Sequence, residues 1–144
     1  MEEKEERGGA VRVGMVWGGI GGVVGLVVSL LGSLVGIVVA VFIGVSCGRR
    51  AAAAGQRAGA LSGLIGGAVA APVYALGSTI GALFAAREIG AVRLAATLSE
   101  LLGSKVSVDE TWTFFLASLV LSAIIEVILL VLAATAAGAW TKRR

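Results

Sequence analysis

A chain of 144 residues is the size of one domain. Apolar residues make up 58% of it, 22 positions are glycine and mean hydropathy is +0.98, which excludes an ordinary soluble globular protein. The net charge is +3, yet the basic residues gather at the ends of apolar stretches and no loop combines aromatics with a basic stripe, so nucleic acid is not an expected partner.

Residues 1–12, MEEKEERGGAVR, read as a charged N-terminal tail. They lack the basic n-region and short apolar core of a cleaved signal peptide, so the apolar stretch that follows is expected to be retained. That stretch, residues 13–48, carries no charge between Arg12 and Arg49. As one helix it would be about 54 Å long, far more than a ~30 Å hydrocarbon core accepts without extreme tilt. Split near Gly32 and Ser33 it becomes a helical hairpin of two slightly short spans. Charge favours the hairpin. With it, Lys4, Arg7, Arg12, Arg49, Arg50, Arg57, Lys142, Arg143 and Arg144 share one side and only Arg87, Arg93 and Lys105 the other; one long helix would divide them six and six. Cys47, the single cysteine, permits no intrachain disulfide and reads as a small packed thiol at the membrane edge.

Residues 58–86 form the next span, with Pro72 near its middle. Proline removes a backbone donor and crowds the carbonyl four residues earlier, here Ala68, so a kink is expected. Residues 87–106 place Leu94, Leu98, Leu101 and Leu102 on one face and Arg93, Thr97 and Glu100 on the other. That spacing predicts an amphipathic segment on the outer surface, or a continuation of the span before it. Ser107 and Glu110 match a capping box and predict the start of the last span, residues 108–141. The predicted fold is therefore all-α: one membrane domain, 1–144, forming a polytopic transmembrane helix bundle of four spans, or three if the first apolar stretch is one helix.

Small residues recur at every fourth position. Gly55, Gly59, Gly63, Gly67, Ala71 and Ala75 form one ladder; Gly32, Gly36, Ala40, Gly44 and Gly48 form another. Such ladders let helix backbones approach closely where lipid supplies no hydrophobic drive. They predict helix packing within the chain and offer faces for self-association with a second copy. A nucleotide loop is excluded: GxxxxGK[ST] is absent, and GGIGGVVG has neither the spacing of GxGxxG nor a strand before it.

Glu126 is the only charge between Trp112 and Trp140, and it lies midway between them. Tryptophans favour the two interfaces, and their separation, about 42 Å along a helix, matches a bilayer with its headgroups. A carboxyl near the bilayer centre is costly when ionised and is a functional candidate by default. It shares a four-residue stripe with Ser118, Ser122, Leu130, Ala134 and Gly138, so it is expected to face the bundle interior. By depth along the helices, Pro72, the freed Ala68 carbonyl and Tyr74 are its expected partners, with Ser78 and Thr79 one turn beyond. No intramembrane base can neutralise it, and desolvation favours its protonated form. Two roles follow: a neutral carboxyl that ties helices together, or one that exchanges a proton or binds a small ion during transport. With no His and one Cys, neither a metal site nor a cofactor is expected, and no nucleophile–base constellation suggests an enzyme.

The segment SAIIEVILLVLA resembles the carboxylate-bearing helix of rotary ATPase ring subunits, which also pair it with a glycine-rich helix; the polar loop between those helices is absent here. Over most of its length, the order GGIGGVVGLVVSLLG, GRR, GALSGLIGGAV and a final span ending in KRR resembles small glycine-rich polytopic membrane proteins of archaea and bacteria. That likeness implies a hairpin and a prokaryotic source but no activity. The leading expectation is a structural or accessory, non-catalytic component of the cell membrane with cytoplasmic termini. The alternative is a proton- or cation-coupled carrier or channel subunit that uses Glu126.

Overall fold

The computed structural model describes residues 2–29, 33–54 and 59–141, with side chains for all of these except 2–7 and 33–34. They form five helices: α1 (Glu2–Val28), α2 (Ser33–Ala54), α3 (Gly59–Ile89), α4 (Ala91–Leu102) and α5 (Val108–Thr141). Four of them contain a segment long and apolar enough to cross a membrane: Gly8–Val28, Val35–Ala54, Gly59–Ile89 and Val108–Thr141. The protein is thus an integral membrane protein with an all-α bundle of four spans. The first apolar stretch is a pair of helices and not one long one. The charged N-terminal residues from Glu2 on are helical, since α1 begins there; Glu, Lys and Arg are good helix formers and prolong the span outward.

The spans alternate in direction. Gly9 of α1 lies against Ala54 at the end of α2, and Gly138 near the end of α5 lies against Gly59 at the start of α3. The start of α1 and the end of α5 therefore sit at one end of the bundle, and the end of α1, the start of α2 and α4 sit at the other. Large apolar side chains cover the outside, among them Val23, Phe42, Leu76 and Leu132. A surface of that kind suits lipid and would be insoluble in water.

Close backbone approach builds the interior. On one face of α3, Gly63 and Gly67 meet Ala134 and Val131 of α5; a Cβ on Gly67 would stand 2.8 Å from that of Ala134. On another face, Gly66 and Ala70 receive Gly14 and Gly18 of α1, and a Cβ on Gly14 would fall 2.7 Å from the Gly66 carbonyl oxygen. Helix α2 uses Gly44 and Gly48 against Leu130 and Ala134 of α5. The described glycines of both ladders, Gly59, Gly63 and Gly67 in one and Gly36, Gly44 and Gly48 in the other, thus face other helices of the same chain; Gly32 and Gly55 lie outside the described residues. Between them, Ala40, Ile43, Cys47, Ala70, Ala71, Tyr74 and Leu130 make a fully packed core.

At the far end, Gly90 (φ 82°) ends α3 and Gly103 (φ 64°) ends α4; both have a positive φ that suits glycine, and Gly103 is a left-handed helix cap. α4 is therefore a separate helix, folded back against α3 and α5 through Leu94, Ala95 and Leu98, while Leu101 and Leu102 stay exposed. The turn into α5 is a capping box. Glu110 Oε2 accepts from the Ser107 backbone N–H and hydroxyl, both at 2.8 Å, and the Glu110 N–H donates to Ser107 Oγ at 3.2 Å.

Candidate functional site

The first two helices are shorter than the two they pack against, and the site follows from that mismatch. Gly36, in the first turn of α2, is already level with Glu126, yet α5 runs a further 18 residues outward, from Ile125 back to Val108. Of these, only Thr111 is buried. On the other wall, α3 continues past Gly81, against which Leu26 and Ser29 lie, to Ile89. Between the outer halves of α3 and α5 lies a cleft of about 470 Å³. It starts at Glu126, Gly36 and Ser78, is walled by residues such as Ala82 and Leu119, and ends at Ile89, Leu94 and Phe115 near the α3–α4 corner. Towards the chain termini it is stopped by the packed Tyr74, Ala71 and Leu130.

Glu126 is 4% exposed and forms the inner end of this cleft. Its Oε2 lies 2.8 Å from Ser78 Oγ. Its Oε1 rests against the bare Gly36, where an added Cβ would come within 2.8 Å of it. Ser122 stands one turn earlier on α5, within reach of the carboxyl. Ser78 Oγ has a second neighbour, the Ala75 carbonyl, at 3.1 Å. A hydroxyl has one proton and two lone pairs, so Ser78 serves either state of the acid. It donates to an ionised carboxylate; it accepts from a protonated carboxyl and donates to Ala75. Beside this pair, the buried Tyr74 hydroxyl donates to the Gly36 carbonyl at 2.7 Å and fixes α2 against the site.

Glu126, Ser122 and Ser118 all line the cleft, though Ser118 is exposed and its hydroxyl donates to Phe115 O of its own helix at 2.8 Å. Tyr74 is adjacent but bonds Gly36 and not the carboxyl. Ala68 and Pro72 are not part of the site: both lie on the outer surface of α3. The expected level was wrong because α3 is offset along its axis relative to α5, so Ser78, six residues or about 9 Å beyond Pro72, meets Glu126. Of the packing glycines, Gly36 touches the carboxyl, whereas Gly44, Gly59, Gly63 and Gly67 belong to helix contacts nearer the termini. The second seam, Gly14, Gly18 and Gly22 against α3, was signalled by the same four-residue spacing but is obscured by neighbouring glycines on every face of α1. Gly36 as a floor for the carboxyl carried no sequence signal, since it depends on the register of α2 against α5.

Comparison with protein-family models finds no match to the chain, and neither do comparisons with curated proteins and with solved structures.

Proposed function

We propose that this integral membrane protein is a non-catalytic component that takes up and releases a proton or a cation at Glu126, with its termini in the cytoplasm. The observation that carries this reading is the cleft that ends on the carboxyl. A residue serving only to tie helices together needs a partner, and Ser78 is one; it needs no route to the surface. Ser78 can match either protonation state without moving, which suits an exchanging group. The orientation rests on the excess of Lys and Arg around the chain ends over the α4 end.

Infrared spectroscopy of the protein in bilayers tests it. A protonated-carboxyl band that titrates with pH and vanishes in Glu126→Gln is expected, together with proton or cation flux in liposomes that the same variant abolishes while the fold survives. A band indifferent to pH, with flux equal in the two proteins, would sink it. The second reading, a purely structural carboxyl, rests on the Ser78–Glu126 bond between α3 and α5; it predicts that Glu126→Leu weakens the bundle and that Glu126→Gln is nearly silent.

A further inference from the structure

Building on that carboxyl, we infer that the cleft is a binding site for a singly charged organic cation with an apolar body, which displaces the proton of Glu126. Three features of the site select this class. Its volume of about 470 Å³ is that of a small-molecule pocket. A bare metal ion or a proton needs no such space.

The second feature is the lining. Ile37, Ile89, Leu94, Leu119 and Phe115 supply apolar wall. The lining hydroxyls are those of Ser29, Ser78, Thr79, Ser118 and Ser122, and Glu126 is the one carboxylate among the described lining residues. A divalent cation such as Ca²⁺ or Mg²⁺ beside a single carboxylate would leave an unpaired charge in these apolar surroundings, whereas a monocation is balanced. An organic cation asks only for one counter-charge and an apolar surround.

The third feature is charge. Among the described residues facing Glu126 are Ser29 from α1, Gly36 and Ile37 from α2, Tyr74 and Ser78 from α3, and Ser118 and Ser122 from its own helix, and none is ionic. Tyr74 is the only other titratable group there, and its hydroxyl is held by Gly36 O. Arg87, Glu88 and Arg93 belong to the α3–α4 corner and do not line the cleft. An isolated carboxylate in apolar surroundings is costly, so the site is stable with a proton or with one monocation, and not with neither or both. Binding is then an exchange: the carboxyl O–H bond breaks, its electron pair stays on the oxygen as the counter-charge, and the proton leaves along the cleft to water. Entry is from the α4 end, because the core of Tyr74, Ala71 and Leu130 closes the other. Much of this part of α5 is exposed on the outside of the bundle, toward lipid, where an amphiphilic cation concentrates.

Methyltriphenylphosphonium, a permanent cation, is the probe, and neutral triphenylphosphine oxide its control, titrated calorimetrically into the full chain in nanodiscs. The cation is expected to bind with release of one proton, its affinity falling about tenfold for each unit of pH below the midpoint of the carboxyl band, as competition for one site requires. Glu126→Gln should lose this binding. Ala82→Phe, which fills the cleft away from the acid, should weaken binding at least about tenfold while the carboxyl band still titrates. Equal binding of the neutral control, binding without proton release, or binding undiminished in Glu126→Gln would each overturn the inference. If the band titrates in the wild type but no cation binds, the inference fails and the proton reading stands; if the band does not titrate, both fail.

Discussion

At the scale of single residues, Ser78 does as much to define the site as Glu126. It is the one described side chain from another helix that hydrogen-bonds the carboxyl, and its second acceptor, Ala75 O, lets it reverse its role with protonation. Ser78→Ala should therefore have two separable effects. The loss of an interhelical hydrogen bond should cost about 0.6–1.7 kcal/mol of bundle stability, read from denaturant unfolding in mixed micelles. The protonated-carboxyl band should move to higher frequency, as for an acid without an acceptor. An unmoved band would show that the carboxyl does not rely on Ser78. The carboxyl itself was legible in the sequence, since one acid between two tryptophans has no ordinary reason to be there. Its partner was not, because depth counted along each helix says nothing about how far one helix slides past another.

At the scale of helices, packing rests on glycines whose missing Cβ is filled by a neighbouring backbone. At Gly63 an added Cβ would strike the Ala134 carbonyl and lie 3.3 Å from the Gly138 Cα, and backbone of that kind cannot step aside. Gly19 on α1 has nothing within 4 Å of the same position. Gly63→Val should accordingly destabilise the bundle by about 1–3 kcal/mol, and Gly19→Val should be close to silent in the same unfolding assay. Equal effects would mean that helix propensity, not interhelical contact, dominates. The ladder in α3 was readable as a period of four, and so was the capping box at Ser107. What the period could not assign was the partner of each rung. α3 carries two such stripes, one for α1 and one for α5, and a repeat alone does not distinguish them.

At the scale of the whole molecule, the unequal lengths of the spans create the cleft. Helices α3 and α5 run past the end of α1 and the start of α2, and α4 folds back at Gly90 beside the opening. This arrangement makes a topological prediction. In a Cys47→Ser background, Gly8→Cys and Ala54→Cys should be labelled by an impermeant thiol reagent from the same side of sealed vesicles, and Ser104→Cys from the opposite side. Labelling of Gly8→Cys and Ala54→Cys from opposite sides would contradict the hairpin. By itself the sequence determined that the chain is helical and membrane-embedded and that one acid lies inside its last span, because hydropathy, charge and glycine spacing act locally along the chain. Only the tertiary structure decided that this acid ends a cleft on Ser78 and Gly36, because that depends on the relative lengths and axial offsets of helices distant in sequence.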